Sequence, residues 1–278
     1  MKEGEWIGPR SRKRWRYRTW QPTRSRALLV IVHGFGEHAA RYLPVAQALA
    51  EAGIAVAAPD LIGHGASAGR RGDVGDVVQC AREIGLLTDQ VFRPHTGHSR
   101  YVVFGHSFGG LVAITLALQH PEGLSRLMIQ SPLLEFGFPI PRWKTALAMA
   151  LARCWPTCPL LMNLDARWLS RDPAIGQAYR QDPLVHNTMS ARSYRSILQA
   201  RDDAFEHAST IEVPTLLLCG GADRIISVEA ARRWCERLRC EKRYVEFPGA
   251  YHELHHETVR DEALQLVREW TLGREVVG

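Results

Sequence analysis

The feature that most constrains the fold is a repeated alternation of short apolar runs with helical stretches along the 278-residue chain. Six runs have the composition of strands: 27–32, 54–59, 101–105, 124–131, 214–220 and 242–247. The helical stretches between them cover 42–53, 76–92, 111–120, 228–238 and 257–270. Because these strands are apolar on both faces, the pattern predicts an α/β fold with a mostly parallel sheet flanked by helices.

The alternation breaks between Pro132 and His207, where no convincing strand occurs. We expect residues 132–207 to form a helical cap inserted between two strands, and residues 1–131 with 208–278 to form the core. Its apolar piece TALAMALA (145–152) is too short to cross a bilayer. The piece could line an acyl-chain groove or enter a membrane interface, or it could simply bury the cap's own core.

Charge and composition exclude some classes of function. A net charge of +6 is mildly basic and is not typical of a dedicated nucleic-acid binder. The densest basic cluster, 10–18, could contact an anionic surface or be the solvated face of a strand pair. Without a secretory apolar segment or a run of about 18 apolar residues, we expect a cytoplasmic, possibly membrane-associated protein.

The six cysteines are expected to be reduced thiols, because the chain forms a core and shows no export signal. Cys154 and Cys158 are close in sequence, but Pro156 lies between them. No matching second pair of ligands lies nearby, so the two cysteines are only a weak indication of a metal site.

A serine stands between glycines where a strand meets a helix. The segment GHSFGG (105–110) contains G-x-S-x-G, with Ser107 at its centre. In a nucleophile elbow this turn holds the serine at the carboxyl edge of the sheet, in front of a helix N-terminus. The flanking glycines let strand and helix approach closely. The context therefore predicts Ser107 as a nucleophile.

A serine nucleophile needs a base, and the base needs an acid that orients it. Asp223 follows the strand at 214–220, and His252 follows the strand at 242–247. Both residues should therefore lie at the same edge of the sheet as Ser107. In chain order they match the serine, acid and histidine of this fold class. His252 is the predicted base, and Asp223 would fix its tautomer.

Charge that develops on the substrate oxygen needs N–H donors. The N–H of Phe108 directly follows the nucleophile. The loop HGFGEHAARY (33–42) follows the first of the apolar strands, and its Phe35 is placed to supply a second main-chain N–H. These two groups are the predicted oxyanion hole.

Several of these segments together resemble one known family. VHGFGEHAARY, DLIGHGASAGRRG, GHSFGG, GGADRIIS and YHELHHE are similar to signatures of monoacylglycerol lipase and lysophospholipase-type α/β-hydrolases, from about Trp15 to Trp270. The cap is less similar, apart from DPLVH (182–186).

The resemblance implies an α/β-hydrolase fold with the cap between the sixth and seventh strands. It matches Ser107, Asp223 and His252 to the catalytic triad, and Phe35 and Phe108 to the oxyanion hole. Glu37 and Arg41 match polar residues near the substrate head group, where a structural role fits equally well. Asp60 and His64 match a loop that supports the site.

The resemblance further implies a serine hydrolase that cleaves fatty-acyl esters of glycerol or lysophospholipid through an acyl-Ser107 intermediate, without cofactor or metal. The expected partner is a small lipid ester, with possible peripheral membrane contact and no nucleic acid. A peptidase or an acyltransferase with the same triad, and a non-catalytic lipid-binding module, remain alternatives.

Two other motifs suggest different chemistry. His252 to His256 fits the zinc-protease pattern H-E-x-x-H, with Glu275 downstream as a possible third ligand. That motif must lie within one helix, whereas here it follows a strand and a Pro-Gly turn. GHGASA (63–68) fits a dinucleotide fingerprint, but further loop residues follow it instead of a helix.

Overall fold

The computed structural model describes residues 1–162 and 164–274. Its strands are β1 Lys2–Ile7, β2 Arg14–Trp20, β3 Ala27–Val32, β4 Ile54–Pro59, β5 Tyr101–His106, β6 Leu124–Gln130, β7 Pro159–Leu161, β8 Thr188–Ser190, β9 Thr215–Gly220 and β10 Lys242–Phe247. Its α-helices are α1 Leu43–Glu51, α2 Val77–Leu87, α3 Arg93–Thr96, α4 Phe108–Ala117, α5 Arg142–Cys154, α6 Pro173–Gln181, α7 Ala191–Glu206, α8 Val228–Arg237 and α9 Arg260–Thr271.

Eight strands form one sheet in the order β1-β2-β4-β3-β5-β6-β9-β10. From β4 to β10 every neighbouring pair is parallel, and only β2 and β1 join antiparallel at one edge. The central strands are buried along nearly their whole length. The prediction of a mostly parallel, helix-flanked sheet is therefore confirmed.

The two faces of the sheet support separate apolar layers. Along β3, Val30 and Val32 contribute to one layer, while Leu29 and Ile31 contribute to the other. Helices α2, α4, α7 and α8 cover the first face, and α1 and α9 cover the second. This arrangement leaves the carboxyl edge of the parallel strands open for functional side chains.

The segment between β6 and β9, the sixth and seventh strands of the large sheet, contains α5, α6 and α7 together with β7 and β8. The expectation that it contains no strand was wrong, because β7 and β8 pair antiparallel. Each is only three residues long, which is too short to show an alternating pattern in the sequence. Helix α7 contributes Tyr194, Ile197 and Ala200 to the same apolar layer as α4.

The basic cluster near the N-terminus lies on the β1–β2 pair. Trp15 is buried, whereas Arg16 pairs with Glu5, and Arg18 lies 3.1 Å from Glu3 across the strands. These glutamates offset part of the basic charge. All six cysteines are free thiols. Among the described residues, no helix combines the length and the apolar character needed to span a bilayer.

Candidate active site

The G-x-S-x-G segment forms a sharp turn between β5 and α4. Ser107 has φ 53° and ψ −116°, a left-handed conformation that is strained for a residue with a side chain. A Cβ on Gly109 would lie 2.1 Å from the carbonyl oxygen of Val32. A Cβ on Gly105 would lie 2.3 Å from the carbonyl oxygen of Gly109. The two glycines are therefore required for the close approach of β3, β5 and α4 at the serine.

Neighbouring segments hold this turn in place. The N–H of Ser107 donates to the carbonyl of Gln130 at the end of β6, at 2.9 Å. The carbonyl of Ser107 accepts from the N–H of Leu133, also at 2.9 Å, and from Gly110 in the first turn of α4. These bonds stabilise the strained conformation, which presents the hydroxyl at the sheet edge.

Asp223 and His252 lie in the loops after the neighbouring parallel strands β9 and β10. His252 Nδ1 donates to Asp223 Oδ2 at 2.7 Å. The other carboxylate oxygen, Oδ1, accepts from the N–H groups of Ile225 and Ile226 at 2.8 and 3.1 Å. Both carboxylate oxygens of Asp223 are therefore held by hydrogen bonds. Because Nδ1 of His252 carries the proton that Asp223 accepts, Nε2 of the neutral ring is free to accept a proton.

The charge on Asp223 determines the basicity of His252. Burial alone lowers the pKa of this imidazole, since a buried cation loses hydration. The negative charge of Asp223 and the hydrogen bond to it outweigh burial and raise the pKa of His252 above its usual value. The pair therefore favours proton uptake by His252.

Ser107 and His252 line the same cavity, which has a volume of about 730 Å³. This volume is within the range of sites that enclose small molecules. Its polar end is formed by Ser107, His252, His106, Glu37 and Glu253. The walls are mostly apolar and include Phe136, Leu160, Met162, Leu169, Met189 and Ile225. The arrangement can hold one apolar chain with its polar end at the serine.

The backbone N–H groups of Phe35 and Phe108 have no acceptor among the residues that the structure describes. Phe108 is the first residue of α4, where N–H groups have no partner within the helix. The two rings pack edge to face with centroids 5.3 Å apart, which links the loop after β3 to the serine turn. Two N–H groups without an acceptor beside Ser107 would suit an oxyanion hole.

Glu37 and Arg41 form a buried network below the Phe35 loop. Glu37 Oε1 accepts from the N–H of Gly34 at 2.6 Å and from the Tyr42 hydroxyl at 2.8 Å. Arg41 donates to Glu37 Oε2 at 2.5 Å and to both oxygens of Glu253. These bonds support the structural role that the sequence left open, because they fix the loop. Glu37 also lines the cavity, but Arg41 does not.

Asp60 and His64 connect the loop after β4 to the loop after β3. Asp60 accepts from the N–H groups of Ala39 and Ala66, at 2.8 and 2.9 Å. His64 is buried, and its ring lies edge to face against Phe35 with centroids 4.8 Å apart. Both residues are therefore placed to support Phe35, and neither lines the cavity.

The sequence did not reveal the role of Glu253 or of Tyr179. Glu253 binds Arg41 and also accepts from His256 Nδ1 at 2.7 Å. The guanidinium of Arg41 lies over the ring of Tyr179, 4.9 Å from its centroid. The contacts of Arg41 with Glu253 and with Tyr179 join segments far apart in the chain, so no short-range spacing could indicate them, whereas Glu253 and His256 are close in sequence.

The H-E-x-x-H segment does not adopt the zinc-protease geometry. His252 lies before the short 3-10 turn Leu254–His256, so the two histidines of the motif do not share one α-helix. Glu253, His255 and His256 could cluster around an ion, but Glu253 is already bound by Arg41 and His256. Glu275 lies outside the described residues.

The segment 63–68 lies in a loop that continues to α2, so it lacks the helix that a dinucleotide fingerprint requires.

Several known proteins are similar to this chain over most of its length. A family model described as serine aminopeptidase, S33, matches residues 23–259. A monoacylglycerol lipase from Mycolicibacterium smegmatis is 32% identical over 260 residues, 92% of each chain. A human monoglyceride lipase is 31% identical over 92% of this chain and 86% of its own.

Among solved structures, a monoacylglycerol lipase from Paleococcus ferrophilus matches with a TM-score of 0.84 and 34% identity, over 93% of this chain and 98% of that one. The sequence relatives and this structural relative thus each match nearly the whole chain. The chain belongs to the serine aminopeptidase S33 family and is an α/β-hydrolase of the carboxylic ester hydrolase class.

Proposed function

We propose that this protein hydrolyses monoacylglycerols through a covalent acyl-Ser107 intermediate. One observation carries the proposal: the strained Ser107 stands with the His252–Asp223 pair at the polar end of a mostly apolar cavity. This combination suits an ester with one long apolar chain and a small polar alcohol.

In the proposed acylation step, His252 Nε2 takes the hydroxyl proton of Ser107 while the serine oxygen attacks the ester carbonyl. The N–H groups of Phe35 and Phe108 stabilise the negative charge on the tetrahedral oxygen. His252 then gives its proton to the leaving glycerol oxygen, and the bond between this oxygen and the acyl carbon breaks. Asp223 stabilises the imidazolium throughout.

In the proposed deacylation step, His252 takes a proton from water, and the hydroxide attacks the acyl carbon. Collapse of the second tetrahedral species releases the fatty acid, and the proton returns to Ser107. The alcohol must leave before water enters, because both use the same face of the acyl group.

Charge at the polar end favours a neutral alcohol over a phosphate ester. Glu37 and Glu253 both line the cavity there, and both side chains are almost fully buried. Burial acts to raise the pKa of both carboxyl groups, but the charge of Arg41 beside them lowers it, and both pKa values lie below their usual value. Arg41 binds both carboxylates and offsets one of their two negative charges. An anionic head group would meet the negative charge that remains, whereas a neutral glycerol would not be repelled. Glycerol is thus preferred to a lysophospholipid head group.

We also propose that α5 and the neighbouring loops contact a lipid surface. Trp143, Trp155 and Leu161 are 64%, 54% and 74% exposed. Trp143 and Leu161 also line the cavity, so its mouth opens within this apolar surface. The segment 136–162 contains two arginines and one lysine but no acidic residue. An apolar surface with flanking cations suits an anionic membrane interface, from which a monoacylglycerol could enter.

The test is a panel of esters that varies acyl length and head group, with Ser107→Ala as the control. We expect hydrolysis of monoacylglycerol and of p-nitrophenyl acyl esters, weaker hydrolysis of lysophospholipid, and labelling by a fluorophosphonate. Ser107→Ala should lose hydrolysis and labelling while it keeps its thermal unfolding temperature. Wild-type-like turnover in this variant would contradict the proposal. Cleavage of aminoacyl amides, or acyl transfer to an added alcohol instead of water, would favour the peptidase or acyltransferase.

A further inference from the structure

A second buried histidine lies beside the proposed base. The ring of His106 lies with its centroid 4.7 Å from that of His252, and its own burial is nearly complete. If His106 were protonated, its charge would face the imidazolium that the mechanism forms on His252. The protonation state of His106 therefore affects the energy of the transition state.

The side chain of Gln130 contacts two of the neighbouring histidines. Gln130 is the last residue of β6 and is 1% exposed. Its amide nitrogen Nε2 lies 3.0 Å from His106 Nδ1 and 2.8 Å from His255 Nδ1. In this orientation of the amide, its nitrogen donates to both Nδ1 atoms, which are then unprotonated acceptors. The ring proton of each neutral histidine then lies on Nε2.

Burial acts in the same direction as Gln130. Loss of hydration, followed by the neighbouring charge of His252, lowers the pKa of His106 to about 4. Burial, together with the neighbouring rings of His256 and His106, lowers the pKa of His255 well below its usual value. The buried charges of Glu37 and Glu253 act against this effect on His106, and Arg41 acts with it. Whether the His106 ring is neutral thus depends on the balance between burial and the surrounding charges. The Gln130 amide adds a hydrogen-bond donor that favours the neutral ring.

His256 provides a contrast within the same cluster. Its Nδ1 lies 2.7 Å from a carboxylate oxygen of Glu253, and its Nε2 lies 3.1 Å from the carbonyl oxygen of Arg41. Both neighbours are oxygen acceptors, so Nδ1 of His256 faces an acceptor where Nδ1 of His106 and of His255 faces a donor. In this cluster the partner of each ring, rather than burial alone, determines which nitrogen carries a proton.

We propose that Gln130 is a positioning residue that holds His106 and His255 as neutral, Nε2-protonated tautomers, so that neither ring adds a positive charge against the imidazolium of His252. The proposal rests on the function proposed above. Gln130 contacts the histidines and does not itself line the cavity. Its carbonyl also accepts from the N–H of Ser107, but that bond involves the backbone and persists when the side chain is changed.

The decisive measurement is histidine ring NMR on the wild-type protein. Long-range ¹H–¹⁵N spectra distinguish protonated from unprotonated ring nitrogens. From about pH 5 to about pH 8, where a free imidazole titrates, we expect His106 and His255 to keep Nδ1 unprotonated and Nε2 protonated. Protonation of His106 Nδ1 within this range would overturn the proposal.

Two variants test the consequence for activity. Gln130→Met removes the donor without adding charge, and Gln130→Glu replaces it with an acceptor that requires a proton on Nδ1. We expect Gln130→Glu to protonate His106 or His255 near neutral pH, to lower kcat/KM at least tenfold, and to change the pH profile. Gln130→Met should cause a smaller loss and a mixture of tautomers.

Two further outcomes are diagnostic. If both variants lost activity equally, with a pH profile of unchanged shape, Gln130 would have only a structural role and the proposal would fail. If Gln130→Glu did not fold, the spectra of the wild type and of Gln130→Met would still show whether Gln130 determines the tautomers of His106 and His255. The spectra do not depend on turnover, so a wild type with the expected tautomers but no ester hydrolysis would remove the proposed function alone.

Discussion

Arg41 and Glu253, which are 212 positions apart, form a buried ion pair with two hydrogen bonds at 2.6 and 2.8 Å. Glu37 accepts a third bond from the same guanidinium. The pair connects the loop that carries Phe35 to the loop that carries His252. The proposed oxyanion-hole loop and the loop of the proposed base are thus joined by an ion pair. The two charged residues are too far apart in the chain for the sequence to indicate this pairing.

Replacement of this arginine should destabilise the fold. In Arg41→Met, two buried carboxylates lose their shared partner, and breaking a buried pair costs about 3–5 kcal/mol. We expect a loss of that size in the free energy of unfolding, measured by urea denaturation. Arg153→Met is the matched control, because Arg153 is an exposed arginine on α5. It should change stability by less than about 0.5 kcal/mol. Equal stabilities for the two variants would show that the network contributes nothing.

The pH dependence of activity should follow the raised pKa of His252. Only the neutral imidazole can accept the serine proton, so kcat/KM should fall as the pH drops below this pKa. The acidic limb of the kcat/KM profile, where activity falls with decreasing pH, should therefore lie at higher pH than for a histidine with an ordinary pKa. The stabilising attraction to Asp223 has the opposite dependence: it is complete at low pH and is lost as the pH rises through the same pKa.

Asp223→Asn tests this assignment. Removal of the charge should move the acidic limb to lower pH, and loss of the tautomer control should lower kcat by about 10³–10⁴-fold. The measurement is kcat/KM against pH with a short, water-soluble ester. A limb that stays at its wild-type position would argue against Asp223 as the partner of His252.

Gly109, two residues after Ser107, should not tolerate a methyl group. In Gly109→Ala the new Cβ would lie 2.1 Å from the carbonyl oxygen of Val32 and 2.4 Å from that of His33. Relief of this clash would require a shift of the backbone at the end of β3 or of α4, which costs free energy. We expect a loss of more than about 2 kcal/mol in unfolding free energy and loss of fluorophosphonate labelling. In Gly85→Ala, the Cβ would meet only a flexible Leu116 methyl at 3.2 Å. That control should lie within about 1 kcal/mol of wild type, because alanine is the better helix former.

Charge reversal near the cavity mouth should weaken membrane binding. The double variant Arg142→Glu/Arg153→Glu changes two exposed cations that do not line the cavity. Each cation near an anionic surface contributes about 1 kcal/mol, so vesicles rich in phosphatidylserine should bind at least about tenfold more weakly. Hydrolysis of a short, water-soluble ester should not change. The control is Arg239→Glu, at the opposite edge of the sheet before β10. Vesicle binding that is equally weak in this control would exclude a specific docking surface.

Much of the molecule follows from patterns that are local in the chain. The alternation of apolar runs and helices predicted the parallel sheet, because a strand buried on both faces must be apolar throughout. The order of strand ends placed Ser107, Asp223 and His252 at one edge, because carboxyl ends of parallel strands share an edge. The glycines at 105 and 109 indicated the close approach that the turn requires.

Other features were decided only by the tertiary structure. The short pair of β7 and β8, the ion pair of Arg41 with Glu253, and the contact of Gln130 with two histidines all join distant segments. Each depends on where the partner lies in space. A charged or amide side chain shows no periodic sequence pattern from which its partner could be predicted. The local sequence pattern therefore determined the buried strands and the main helices of the core, although not the short strands β7 and β8. The packing of those elements decided which buried polar groups meet and, through them, the charge around the proposed base.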